Sequence, residues 1–285
     1  MNQNESHRSL LDIIKKGDFL PIDPINRKKF FYNNPEEKIS NNPNNVWDFV
    51  HPDDYHLYQR HLKTQPHYWY YRHNSIKYTV NSQGYRTKEF DQIDWKNSIV
   101  MFGCSHVYGI GNDDKQTIPY YLEKLCGIPV INMGINGSSI QAALHNSLVL
   151  NNKYGPPKLI IYSWTSIIRY MIYKKDHAIY NTLSSTVDYE GLSLIELLKG
   201  KQLKREFHDL YNVLALNMLY VDLIRGMWKN KCPIYEFSLF ENSADYFECD
   251  LFNDIQDKAR DLHHYGPTTN KLIAEFIYNK ITDKL

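Results

Sequence analysis

Ser98-Ile99-Val100-Met101-Phe102-Gly103-Cys104-Ser105-His106-Val107-Tyr108-Gly109 is the stretch that decides the fold. The apolar run Ile99 to Phe102 has the length of a buried parallel strand. It stops at Gly103 and places the hydroxyl of Ser105 in a tight turn, after which Pro119 to Leu125 has the pattern of a helix. Hydrolytic enzymes of the α/β class expose a nucleophile at the carboxyl edge of a sheet in this way. An ordinary polar turn between a strand and a helix fits the same residues equally well.

Strands and helices alternate along the rest of the chain, which predicts a parallel sheet covered by helices on both faces. The expected strands are Ile99–Phe102, Pro129–Asn132, Leu159–Tyr162 and Pro233–Phe237, and the expected helices are Ile118–Leu125, Ile140–Leu150, Leu192–Leu198, Leu203–Trp228 and Asn270–Ile281. The predicted fold is therefore a three-layer α/β/α sandwich with a flavodoxin-like sheet, formed by residues 96–285.

Residues 1–95 are predicted to be an N-terminal extension. Prolines and asparagines dominate its first part, which favours irregular chain up to about residue 50. The segment Tyr68–His73 is rich in aromatic residues, and Ile76–Val80 alternates with the period of a strand. Asn81–Gly84 supplies a turn, so we expect a hairpin or edge-strand unit that covers the core. Its aromatic side chains fit burial against the sheet better than a platform for stacking sugars.

Amino-acid composition, net charge and cysteine spacing narrow the classes of function that the chain could have. With 42% hydrophobic and 23% charged residues, the chain resembles an ordinary globular protein. The net charge of +1 gives no electrostatic reason to expect nucleic acid or an anionic membrane as a partner. The four cysteines are widely spaced and predict free thiols rather than a zinc site or disulfides. No signal-like N-terminus or apolar run of about 18 residues is present, so a cytoplasmic location without membrane contact is expected.

A base for the Ser105 hydroxyl is available near the C-terminus. Asp261 and His264 lie three residues apart, just before the last predicted helix, where a parallel-sheet protein has its last active-edge loop. A carboxylate at that spacing can hold one imidazole nitrogen while the other faces a nucleophile. The alternative is that His263 and His264 are surface loop residues.

Three sequence blocks together resemble the SGNH (GDSL-like) hydrolase superfamily, of which this chain looks like a divergent member. Its Gly-Asp-Ser block, with a glycine a few residues on, is matched by Gly103–Gly109, and its strand-ending Asn with a later Gly by Asn132–Gly137. Its Asp-x-x-His block is matched by Asp261 and His264. The resemblance implies a flavodoxin-like fold, a Ser105-His264-Asp261 triad, and oxyanion donors at the backbone N–H groups of Ser105 and Gly137. It implies no metal or organic cofactor.

Two departures from the family pattern affect the expected site. Cys104 stands where the family has Asp, and a Cys104 nucleophile is a further alternative. The family's third block, Gly-x-Asn-Asp, is replaced by a stretch without Asn after the third strand. Thr165 or Ser166 could donate a hydroxyl to the oxyanion in its place. Trp164 and Arg169 either shape a pocket and pair with a substrate carboxylate, or pack in the core and form a surface ion pair.

The resemblance implies a serine ester hydrolase or a related acyltransferase. The expected substrate is a small-molecule or carbohydrate ester with a small acyl group such as acetyl. The absent third-block Asn motivates a second hypothesis of another class, a binding protein that kept the fold and lost the chemistry.

Overall fold

A computed structural model describes residues 46–173, 178–182 and 210–285, with side chains over 46–170 and 213–285. Its strands are β1 (Val46–Trp47), β2 (Tyr78–Thr79), β3 (Ile99–Gly103), β4 (Val130–Gly134), β5 (Leu159–Trp164), β6 (Arg169–Tyr173), β7 (Ala178–Thr182), β8 (Ile234–Ser238) and β9 (Asp250–Leu251). Its α-helices are α1 (Tyr55–Thr64), α2 (Tyr70–His73), α3 (Ser105–Tyr108), α4 (Ile118–Cys126), α5 (Ile140–Val149), α6 (Leu210–Trp228), α7 (Glu241–Phe247) and α8 (Pro267–Ile281).

A five-stranded sheet in the order β4-β3-β5-β8-β9 forms the centre of the fold. Every neighbouring pair in it is parallel. The first strand of the domain lies between the second and the third, which is the flavodoxin-like order and confirms the predicted fold class. In this order the carboxyl ends of β3, β4 and β5 meet at one edge of the sheet.

The alternation of side chains along the strands builds two separate cores. Val100 and Phe102 of β3 face one core, which is completed by α5 and α6. Ile99 and Met101 face the other, which is completed by α4 and α8. The sheet is therefore the middle layer of three.

Capping residues fix where the helices that flank the site begin. Thr117 accepts a hydrogen bond from Tyr120 N at the start of α4, and Gly127 ends that helix at φ +66°. Ser139 accepts a hydrogen bond from Ala142 N at the start of α5.

The segment before the sheet differs from the expected hairpin. β2 pairs antiparallel with β1, so its partner lies upstream, and residues 81–87 turn without forming a second strand. The aromatic stretch Tyr68–His73 includes the short helix α2. Tyr71, Ile76 and Tyr78 form a small core with Tyr108 and Ile110, so this segment packs on the turn that follows Ser105.

Three expectations lie wholly or partly outside the described residues: the lead-in up to residue 45, the helix Leu192–Leu198, and residues 203–209 of the long helix, which is described from Leu210. The antiparallel pair β6–β7 was not expected from the sequence. None of the helices in the described ranges has the length and hydrophobicity that crossing a bilayer requires.

Candidate active site

Ser105 is the first residue of α3, two residues past the end of β3. The turn lies directly on β4: a Cβ at Gly134 would be 2.3 Å from Tyr108 N and 2.7 Å from the carbonyl carbon of Val107. Asn132 Nδ2 donates to Val107 O at 3.0 Å, while Asn132 Oδ1 accepts from Gly134 N at 2.9 Å. Glycine and asparagine in β4 therefore let the serine turn pack closely and hold it there.

His264 and Asp261 complete a hydrogen-bonded relay with Ser105. His264 Nε2 is 2.7 Å from Ser105 Oγ, and His264 Nδ1 is 2.5 Å from Asp261 Oδ2. Ser105 is 5% exposed and Asp261 fully buried, while the His264 side chain keeps 13% of its surface. A hydroxyl, an imidazole and a carboxylate in this order are the groups that nucleophilic acyl transfer needs. The three predicted triad residues are brought together at the carboxyl edge of the sheet.

The Asp261 carboxylate is held in its charged form by its hydrogen bonds. Burial alone would raise its pKa, but the His264 ring and the backbone N–H groups of His263 and His264 bring the pKa below its ordinary value. These N–H groups donate to Oδ1 at 3.1 and 3.0 Å, which leaves Oδ2 for the imidazole. The loop that does this contains Leu262 at φ +59°, an uncommon conformation for leucine.

His106 packs beside the triad, although sequence reasoning did not single it out. Its ring centroid lies 4.9 Å from that of His264 and 4.4 Å from that of Tyr265. Burial lowers the pKa of His106 well below its ordinary value, and the His264 and Arg169 charges lower it further. Its Nδ1 is buried without a hydrogen-bond partner. The only sequence signal was its position next to Ser105.

The expected oxyanion donors follow the ends of β4 and β5. Gly137 lies three residues past β4 at φ +67°, and Gly103 pairs with Gly134, so the backbone of Gly137 and that of Ser105 leave the same sheet edge. Thr165 directly follows β5 and is 4% exposed. Its Oγ1 accepts from Arg169 Nη1 at 2.9 Å, which leaves the hydroxyl proton available to donate. Ser166 is half-buried, and its carbonyl accepts from Arg169 N.

Trp164 and Arg169 have different surroundings. Trp164 is 2% exposed, stacks on Tyr162 at 4.7 Å and donates its indole N–H to Glu236 at 3.0 Å. These contacts are those of a core residue. Arg169 is half-buried, with its guanidinium carbon 5.9 Å from the ring centroid of Phe240.

Sequence reasoning also missed a buried ion pair that reaches the triad loop. Arg260, the residue before Asp261, donates from Nε and Nη2 to the Asp53 carboxylate at 2.7 to 3.1 Å. Tyr78 donates to the same carboxylate and accepts from Gly111 N at 2.7 Å. Asp53 and Arg260 are 207 positions apart, and no motif or period relates them.

The four cysteines are all unpaired. Cys104 is 1% exposed, and burial raises the pKa of Cys249 to about 12 and that of Cys232 to about 11. Cys104 is the buried one of the four, and a thiol buried in apolar surroundings is usually inert. Across residues 46–173 and 210–285, no three His, Cys, Asp or Glu side chains cluster as metal ligands would.

No protein-family model and no curated protein sequence matches the chain. Several solved structures are similar to it. A carbohydrate esterase, described as having divergent catalytic and non-catalytic binding functions, shows 11% identity, 67% coverage of each chain and a TM-score of 0.41. A protein described as lipolytic, of the G-D-S-L family from Desulfitobacterium hafniense DCB-2, shows 15% identity, 65% and 99% coverage of this and that chain, and a TM-score of 0.31.

The esterase AlinE4 of the SGNH-hydrolase family shows 15% identity, 68% coverage of this chain and 99% of its own, and a TM-score of 0.27. Two of these structures are described as esterases, and two are described as members of the G-D-S-L or SGNH family. The fold assignment rests on the strand order and register of this chain, and its chemistry on its own side chains.

Proposed function

We propose that this protein is a serine ester hydrolase or a related acyltransferase. The observation that carries the proposal is the continuous relay from Ser105 Oγ through His264 to the buried Asp261 carboxylate, with distances of 2.7 and 2.5 Å. The proposed substrate is a small-molecule or carbohydrate ester with a small acyl group such as acetyl. A cytoplasmic location is part of the proposal and agrees with four unpaired cysteines.

In the proposed mechanism, Ser105 Oγ attacks the acyl carbonyl while His264 Nε2 takes the hydroxyl proton. Asp261 holds the Nδ1–H tautomer of His264 and stabilises the imidazolium that forms. The tetrahedral intermediate collapses, and His264 returns the proton to the leaving alcohol. Water or a second alcohol, activated by the same imidazole, then releases the acyl group from Ser105.

The oxyanion of the intermediate is assigned to three donors. Two are the backbone N–H groups of Ser105 and Gly137. The third is the hydroxyl of Thr165 or of Ser166, which replaces the family's Asn. Thr165 is the better aimed of the two, because Arg169 occupies a lone pair of its oxygen and restricts the rotation of its hydroxyl. Loss of one oxyanion donor costs about 2.7–4 kcal/mol in other enzymes.

Labelling with a neutral fluorophosphonate tests the proposal without knowledge of the natural ester. We expect a single adduct on Ser105, located by peptide mass spectrometry, which is lost in Ser105→Ala and strongly reduced in His264→Ala. His263→Ala is the matched control, because the exposed ring of His263 lies outside the relay. An unlabelled Ser105 in folded protein rules out an activated serine. An adduct on Cys104 that survives Ser105→Ala identifies the thiol as the nucleophile instead.

The second candidate, a binding protein without turnover, is favoured by the missing third-block Asn. It predicts that a bound ester is recovered intact after prolonged incubation with unlabelled protein. The proposed function predicts free alcohol and a covalent acyl adduct on Ser105.

A further inference from the structure

The loop that follows β5 holds Arg169 in a fixed position. Ser243 Oγ donates to Thr165 O at 3.0 Å and accepts from Ile167 N at 2.9 Å. Asn217 Nδ2 donates to Ile167 O and, at 3.2 Å, to Arg169 O. Both anchoring side chains are buried. The loop is therefore preorganised, and it fixes the backbone of Arg169 at the carboxyl edge of the sheet.

The guanidinium of Arg169 lacks a counter-ion in the described part of the chain. No Asp or Glu there forms an ion pair with it. Nη1 is engaged by Thr165, and Nε is buried with no acceptor. A guanidinium N–H that is removed from water without an acceptor destabilises the free protein, so a bound acceptor would recover that cost. Nε–H and an Nη2–H form one edge of the group, which matches the two oxygens of a carboxylate.

Two contacts place this guanidinium beside the proposed triad. Arg169 and His106 both lie against the ring of Phe240, at 5.9 and 6.1 Å from its centroid. The ring of His106 also contacts the rings of His264 and Tyr265. Because His106 is held neutral, it adds no positive charge next to the base. Two cations act on His106 besides His264, namely Arg169 and Lys258, and of these Arg169 is half-buried and Lys258 is exposed.

We propose that Arg169 binds a carboxylate of the substrate, so that the ester cleaved at Ser105 carries a negative charge close to its scissile bond. This inference rests on the proposed function and narrows its substrate class. The carboxylate accepts from the Nε and Nη2 edge, while Nη1 continues to orient the Thr165 hydroxyl. One side chain then connects substrate selection with the proposed oxyanion donor.

The test compares two fluorophosphonate probes with the same reactive group, one ending in a carboxylate and the other in its methyl ester. The measured quantity is the ratio of their rates of labelling at Ser105. We expect wild type to prefer the carboxylate probe by about tenfold or more, as charged hydrogen bonds provide. Arg169→Gln should bring the ratio close to one, and Arg169→Lys should recover part of it. Lys258→Gln is the matched control, because Lys258 is an exposed cation near Tyr265 and should keep most of the preference.

A second measurement uses wild type alone, in case the arginine variants do not fold. Succinate should protect Ser105 from the neutral probe, and dimethyl succinate should not. Equal labelling by both probes without protection by succinate overturns the carboxylate proposal and leaves the activated serine intact. A preference that is lost in Lys258→Gln but kept in Arg169→Gln overturns it too. Folded wild type that neither probe labels overturns the carboxylate site and the proposed function together.

Discussion

Single side chains set the charge states around the relay. Asp261 has a lowered pKa because hydrogen bonds to its carboxylate outweigh its burial, and His106 has a lowered pKa because it is buried near other positive groups. The anionic carboxylate of Asp261 and the neutral ring of His106 therefore both lie next to His264.

The lowered pKa of His106 predicts how stability depends on pH. Below about pH 6.5 the unfolded chain protonates this histidine and the folded chain does not, so the free energy of unfolding falls as pH falls. One such group contributes at most about 1.4 kcal/mol per pH unit. His106→Gln should reduce this slope between pH 7 and 5, measured by urea denaturation. The charged groups facing His106 are His264, Arg169, Asp261 and Lys258. An unchanged slope would show that His106 is protonated equally in both states.

The pH range in which protonation of Asp261 changes the free energy of unfolding lies below the range for His106 and is separate from it. A carboxyl with a depressed pKa stabilises the fold above its unfolded value and loses that contribution as pH falls through its folded pKa. Its effect therefore begins below about pH 3.9. The two titrations can be distinguished in a single pH series.

At the scale of elements, the contact of α3 with β4 decides where the Ser105 hydroxyl lies. Any side chain at Gly134 would collide with backbone atoms of Val107 and Tyr108, which cannot move independently of Ser105. The position of the turn that carries Ser105 therefore depends on the absence of a side chain at Gly134 of β4.

Gly134→Ala should consequently slow the labelling of Ser105 by about 10²-fold, the cost of a displacement near 1 Å. Overpacking should also lower the free energy of unfolding by about 1–3 kcal/mol. Gly226→Ala is the matched control: this residue is exposed on α6, and an added Cβ would meet nothing within 4 Å. That control should keep full labelling and gain about 0.5–1 kcal/mol. Equal labelling by both variants would contradict the close packing.

The elements around the site were predictable because their signals are local. The apolar strand before Gly103, the polar residues at the ends of β3 and β4, and the caps of α4 and α5 each act over a few residues. The hairpin prediction was wrong about its partner because pairing is not local: Tyr78–Thr79 alternates as a strand whether it pairs upstream or downstream. The antiparallel pair β6–β7 was not predicted for the same reason, because strand pairing is not a local signal.

At the scale of the whole molecule, Asp53 and Arg260 join the segment before the sheet to the loop that carries Asp261. Both are buried, at 1% and 3% exposure. Arg260 N also donates to Gly111 O at 3.1 Å, so the two loops that carry Ser105 and Asp261 touch here. The pair could not be predicted from sequence, because each residue looks like an ordinary surface charge.

Removing one partner should leave a buried charge unpaired. Asp53→Asn should lower the free energy of unfolding by about 3–5 kcal/mol and slow the labelling of Ser105. Asp48→Asn is the control, because the Asp48–Lys77 pair is more than half exposed and should contribute about 0–1 kcal/mol. Urea denaturation followed by tryptophan fluorescence measures both variants. Similar losses in the two would mean that the buried pair contributes no more than an exposed one.

The distance along the chain between Ser105 and His264 has a consequence for synthesis. The ribosome makes Ser105 159 residues before His264, and the loop carrying His264 leads into α8, which packs on α4 in the core. An incomplete chain therefore contains an alcohol of ordinary reactivity. In the proposed mechanism, Ser105 acquires its base only after α8 has docked, so a reactive serine would report that α8 has packed against α4.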